Sequence, residues 1–231
     1  MAGRLLSLLT QAPQLIVSLP ENSSELARAA ADAGANALKV HLHVKHEASG
    51  TEFGSLDQER AELEEILSVG VPTGVVPGSA GRLPSRREMS ELAAMGMDFF
   101  DLFARDMPAW MTSFGGMTRV AAIDETTDLD AISNLETLGI EMIEAAVVSP
   151  DGYGLPLSPT DLATYRSIRR ATTLPIIVPT ERAIRPDEVG LLVREIGINA
   201  VMIGAIVTGR RATSLRASTE RFATALAAQR D

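Results

Sequence analysis

The chain has 231 residues, a formal net charge of −9 and a pI near 4.9, a balance that argues against non-specific nucleic-acid binding. It does not exclude an anionic small molecule, because local basic groups decide that. With 45% hydrophobic and 22% charged residues and no cysteine, it reads as a globular protein without a disulfide framework or thiolate metal site, which fits a cytoplasmic location.

The N-terminal stretch 1–9 has Arg4 ahead of four leucines, but Gln11, Pro13 and Gln14 interrupt it, so a short leading helix is expected rather than a signal peptide. No window approaches membrane-span length, and no membrane partner is expected. A first strand is predicted over 15–19, stopped by Pro20, then a helix over 24–33 ending at Gly34. A second strand follows over 37–44, and a polar Gly/Ser-rich loop over 47–55 leads into a helix over 57–69. Strand three is expected over 73–76 with a helix ending at Met95, and strand four over 98–103. Met107, Trp110 and Met111 in the next segment fit either the core or a subunit contact, which leaves a homo-oligomer open. Strands at 119–124, 142–149, 175–180 and 200–206 alternate with helices over 129–138, 159–170, 186–196 and 214–229. Eight β/α units of 25 to 30 residues suit one domain, a closed (β/α)8 barrel, with no early G-x-G-x-x-G to suggest an open doubly wound sheet.

Strand two carries the most unusual residues. Both lysines and all three histidines of the chain lie between Lys39 and His46; every other basic side chain is arginine. Lys39, His41, His43 and Lys45 share one parity, and Leu38, Val40, Leu42 and Val44 share the other. Such a strand has either a solvated basic edge or, within a barrel, a basic face lining a site while the aliphatic face lies under helices.

The last third resembles a known family. Leu174-Pro175-Ile176-Ile177-Val178, Ala183-Ile184-Arg185-Pro186-Asp187-Glu188-Val189 and the stretch Gly197-Ile198-Asn199-Ala200-Val201-Met202-Ile203-Gly204-Ala205-Ile206-Val207 are similar to the strand 7 to strand 8 module of phosphate-binding TIM barrels. That superfamily includes ribulose-phosphate epimerases, the tryptophan-pathway barrels and N-acetylmannosamine-6-phosphate epimerases. The resemblance implies a phosphate held at Gly204 and Ala205 by backbone N–H groups. The chain departs on the strand-seven side, where Pro179-Thr180-Glu181-Arg182 replaces the usual glycines. Proline donates no N–H and Glu181 repels an anion if it faces inward, so Thr180 and Arg182 are the compensating donors there. A looser likeness runs through Ala33-Gly34-Ala35-Asn36-Ala37 into strand two. Metal-dependent sugar-phosphate epimerases carry His-x-Asp at that point, where this chain has His41-Leu42-His43. Two histidines at i and i+2 make a divalent metal the minority expectation and no cofactor the main one.

Barrel sites lie at the C-terminal strand ends. A deep Lys39 needs a counter-charge or gives up its proton, and Asp101, Asp124, Glu125, Glu144 and Glu181 are the acids at strand ends. The set Lys39, His41, His43, Lys45, Asp101, Asp124 and Glu144 suits proton removal next to a carbonyl, as in an isomerase, epimerase or lyase acting on a small phosphorylated metabolite. The alternatives are a Schiff-base aldolase using Lys39 or Lys45, and a barrel that binds a ligand without turnover.

Overall fold

The short runs of β-branched and aliphatic residues form eight strands, each buried on both faces: β1 (Gln14–Ser18), β2 (Ala37–His41), β3 (Thr73–Val76), β4 (Phe99–Phe103), β5 (Thr118–Ile123), β6 (Met142–Ala145), β7 (Ile176–Pro179) and β8 (Ala200–Ile203). In this computed structural model, which describes residues 3–229, they pair in parallel in sequence order and β8 closes onto β1. Eight α-helices are described: α1 (Arg4–Leu9), α2 (Ser24–Asp32), α3 (Leu56–Leu67), α4 (Arg86–Met95), α5 (Leu129–Leu135), α6 (Pro159–Ala171), α7 (Ala205–Thr208) and α8 (Ala212–Ala227). The barrel fills the described chain, and no described helix is long and apolar enough to cross a membrane. Residues 1 and 2 of the leading apolar stretch lie outside the described residues.

Alternation along the strands divides two cores. Leu38, Val40 and Leu42 point outward into the layer packed by the helices, with Leu26, Leu63 and Ile66. Ile16, Phe99, Val120, Met142, Ile177 and Met202 point inward and fill the barrel, and Leu5 and Leu9 of α1 plug its N-terminal end. Asp98, expected at the start of strand four, instead caps α1: its carboxylate accepts the N–H groups of Arg4 and Leu5 at 2.7 and 2.8 Å. Gly74 of β3 is dictated by packing, because a Cβ there would lie 2.1 Å from a Phe99 ring carbon.

Four departures from the sequence expectation matter. β2 ends at His41, because His43 has φ +57°, a left-handed conformation that reverses strand parity. Residues 42–54 then form a ribbon beside the barrel mouth, closed by His43 N–H to Gly54 C=O (2.9 Å), Phe53 N–H to Val44 C=O (2.8 Å) and His46 N–H to Thr51 C=O (2.9 Å). Val44 is only partly buried and lines the mouth, not the layer under the helices. Residues 186–196 split into a 3-10 turn, Pro186–Glu188, and a π-turn, Leu191–Ile196. Strand eight stops at Ile203, and the stretch after Gly204 coils into α7. Met111 is fully buried, and Met107 and Trp110 are partly buried against the outer core.

Candidate functional site

Above the apolar floor of the barrel the inward residues become polar. Ser18, Lys39, Asp101 and Glu144, from β1, β2, β4 and β6, open into a cavity of about 240 Å³ at the C-terminal strand ends. Its upper walls are His41, Val76, Leu102, Phe103, Met202 and the ribbon residues Val44 to Ala48.

Lys39 is the centre. Its Nζ donates to Glu144 Oε2 at 2.7 Å and to Asp101 Oδ2 at 3.0 Å, and all three side chains are buried. Burial works against the ammonium, but the two carboxyl groups outweigh it and hold Lys39 above the ordinary lysine range. Of the two alternatives for a deep Lys39, a counter-charge or release of its proton, the counter-charge is the one present. One ammonium between two carboxylates leaves a negative charge in excess. Asp101 is the more buried and more distant of the two, and burial, then the Glu144 charge, pushes its carboxyl well above the ordinary range against the pull of Lys39. Glu144 stays ionised, since the Lys39 charge and the hydrogen bonds from Lys39 and Asp101 outweigh its own burial. Among the described residues, Asp101 Oδ1 is buried without a hydrogen-bond partner.

His41 stacks between His46 and Phe53 of the ribbon, with ring centroids 4.5 and 4.8 Å away. Burial, then the charges of His46 and Lys39, lowers its pKa well below the ordinary histidine range, so it is a neutral imidazole. His46 was not among the predicted site residues although it closes the Lys39–His46 run; the left-handed turn at His43 brings it over the cavity. Burial and the Lys39 charge lower it to about 4. Its Nδ1 accepts the Ser49 N–H at 3.3 Å, which assigns the proton of the neutral ring to Nε2.

The remaining predicted residues divide. His43 is turned out of the cavity, its Nε2 3.2 Å from Glu88 Oε1 on α4. Since His41 and His43 face different surroundings, the two-histidine metal arrangement is not formed; no group of three or more His, Asp or Glu suited to a metal occurs among the described residues. Lys45 is exposed on the ribbon at the mouth, opposite Glu52 in the ribbon pairing. Asp124 does not face the cavity. It accepts from Thr126 N–H and Oγ1 at 3.0 and 2.7 Å, and pairs with Arg105, as a loop cap.

At the strand-eight end, Gly204 N–H already donates to Thr180 Oγ1 at 3.0 Å, so both are engaged with each other. Ala205 opens α7. Arg182 is not at the cavity: it pairs with Asp161 at 3.0 Å and donates to the Gly152 carbonyl at 2.9 Å, holding the loop after β6. Glu181 does face inward and is buried. Tyr153, from the loop after β6, lines the cavity beside it and went unread because only the fold brings that loop to β7.

These features define a (β/α)8 barrel with a polar, partly roofed cavity at the C-terminal end of its strands. No protein-family model matches the chain, and no curated protein sequence matches it. Solved structures do. A tryptophan synthase structure from Mycobacterium tuberculosis is similar with a TM-score of 0.76 at 14% identity, covering 98% of this chain and 99% of that one. The tryptophan synthase A-subunit of Pyrococcus furiosus is similar with a TM-score of 0.68 at 17% identity, covering 92% and 97%. The likeness spans nearly whole chains and shows the fold, a (β/α)8 barrel.

Proposed function

We propose that this barrel is an enzyme of the lyase or isomerase type, removing and returning a proton beside the carbonyl of a small phosphorylated metabolite. One observation carries the reading: buried Lys39 Nζ is shared between Glu144 Oε2 at 2.7 Å and Asp101 Oδ2 at 3.0 Å inside the cavity. A permanent charge at that depth stabilises an oxyanion as it forms on a carbonyl, far better than it would in water. Asp101 supplies a hydrogen-bond donor and Glu144 a carboxylate at the same level. The phosphate would sit at the turn into α7, where Ala205 and Ile206 are the first helical donors. It draws nothing from Arg182. A Schiff-base role fits less well, because Lys39 is held protonated by two carboxyl groups and Lys45 is exposed.

The test is solvent exchange. The protein is incubated in D2O with dihydroxyacetone phosphate, glyceraldehyde 3-phosphate or ribulose 5-phosphate, and loss of the proton next to the carbonyl is followed by NMR. Exchange above the buffer rate that disappears in Lys39→Met supports the reading. No exchange with any of the three, or equal exchange in Lys39→Met, sinks it.

A further inference from the structure

Glu181 differs from the other buried acids of the cavity. Its carboxylate accepts two neutral donors, Val148 N–H on Oε2 and Tyr153 Oη–H on Oε1, both at 3.0 Å. Among the described residues no basic side chain lies within 4.0 Å of it; its neighbour Arg182 is committed to Asp161. The backbone around it is pinned as well, since the Glu181 carbonyl accepts Gly154 N–H at 2.8 Å, tying the loop after β6 to the end of β7. A buried carboxyl at a cavity wall, held in place yet unpaired by a cation, is built to gain and lose a proton. Glu144, clamped by Lys39, is not.

We propose that Glu181, positioned by Tyr153, is the group that exchanges a proton with the ligand's carbon, while Lys39 with Asp101 and Glu144 holds the charge that develops on the ligand's oxygen; this rests on the acid–base reading above. In the forward step the Glu181 carboxylate takes the proton from the carbon next to the carbonyl. The C–H electron pair becomes a carbon–carbon double bond, and the carbonyl π pair moves to oxygen, facing the Lys39 ammonium. The reverse step returns the proton from the Glu181 carboxylic acid to carbon. Tyr153 is a positioning residue: its hydroxyl fixes one carboxyl oxygen.

The electrostatics agree with that division. Burial pushes the Glu181 carboxyl up to about 7, resisted by the Val148 N–H bond, aided by the negative Glu144, and resisted again by the Tyr153 bond and the Lys39 charge. Tyr165, buried nearby, has its own hydroxyl pKa raised by burial and by Glu181. Near neutral pH both protonation states of Glu181 are populated, as a reversible proton carrier requires.

The experiment uses the same deuterium exchange with the three sugar phosphates, on the parent, Glu181→Gln and Tyr153→Phe, across pH 5 to 9. Glutamine is isosteric: its carbonyl oxygen accepts from Val148 N–H, and its amide N–H donates to the Tyr153 hydroxyl oxygen once that hydroxyl rotates. Expected are a loss of about 10²-fold or more in Glu181→Gln and, in Tyr153→Phe, residual exchange whose pH midpoint moves upward, because a bond to the charged form is lost. In protein labelled with carbon-13 at the glutamate carboxyls, the resonance missing from Glu181→Gln should show the same midpoint and shift. If the parent exchanges and Glu181→Gln exchanges as fast, or the Tyr153→Phe profile stays put, this assignment falls and the acid–base reading stands. If the parent exchanges none of the probes, both fall.

Discussion

Lys39 Nζ lies 2.7 Å from Glu144 Oε2, joining two buried side chains 105 positions apart, and Asp101 completes the contact at 3.0 Å. Removing one member leaves a buried charge without its partner. Lys39→Met should therefore lower stability at pH 8 by roughly 3–5 kcal/mol. The loss should shrink near pH 5, where the orphaned carboxyls protonate more cheaply. The double variant Lys39→Met/Glu144→Gln should be more stable than Lys39→Met alone. Denaturant unfolding of the three proteins at both pH values checks this, and additive losses would contradict it.

Acid should weaken the fold through His46. Its folded pKa of about 4 lies below the ordinary 6.5, so the unfolded chain takes up a proton that the native protein refuses. Stability then falls as pH drops from about 6.5 toward 4, by on the order of 2–3 kcal/mol. His46→Gln should flatten this limb of a melting-temperature profile. An NMR titration of the His46 ring with a midpoint above 6 would refute it.

Glu181 acts with the opposite sign. A carboxyl raised to about 7 from the ordinary 4.5 keeps its proton in the folded protein while the unfolded chain loses it. Stability therefore falls as pH rises from about 4.5 through 7. Glu181→Gln should melt higher than the parent at pH 8, by roughly 3 kcal/mol at most, and about equal to it at pH 4.5. A gain that does not grow with pH would count against the buried, cation-free setting of this group.

Arg182 should prove structural. Burial opposes the Asp161 charge, but the Ser158 and Arg182 bonds overcome it and hold Asp161 below the ordinary range. Arg182→Ala leaves that carboxylate and the Gly152 carbonyl without a partner, for a loss of about 2–4 kcal/mol. The melting-temperature increase given by millimolar inorganic phosphate should be the same in Arg182→Ala as in the parent. Its disappearance would return Arg182 to the anion site.

At the barrel floor, Gly74→Ala places a methyl group 2.1 Å from the Phe99 ring. Overpacking of this kind costs about 1–3 kcal/mol, and the companion change Phe99→Leu should recover part of it. Unfolding measurements on the single and double variants decide.

The sequence by itself determined the number and order of the strands, the helices between most of them, and which face of β2 is aliphatic. Those features are local: a period of two in the strands, helix starts such as Ser23, Ser85 and Ser158, and glycine stops such as Gly96 and Gly197. Lys39 was legible as a candidate from lysine usage and strand parity, and Asp101 and Glu144 as acids at strand ends. Their union was not, since it is made by closure of a barrel around residues 39, 101 and 144. Only the tertiary structure decided that Lys39 keeps its proton, because that depends on two acids from other strands. It likewise decided that His43 leaves the face its parity assigns, that His46 replaces it over the cavity, that Asp124 turns to its own loop and Arg182 to Asp161 of α6, and that Tyr153 meets Glu181. A left-handed residue or a loop contact breaks strand periodicity at one point, and the energy that favours it comes from groups distant in sequence: the ribbon bonds to Gly54 and Glu88 for His43, and Asp161 for Arg182.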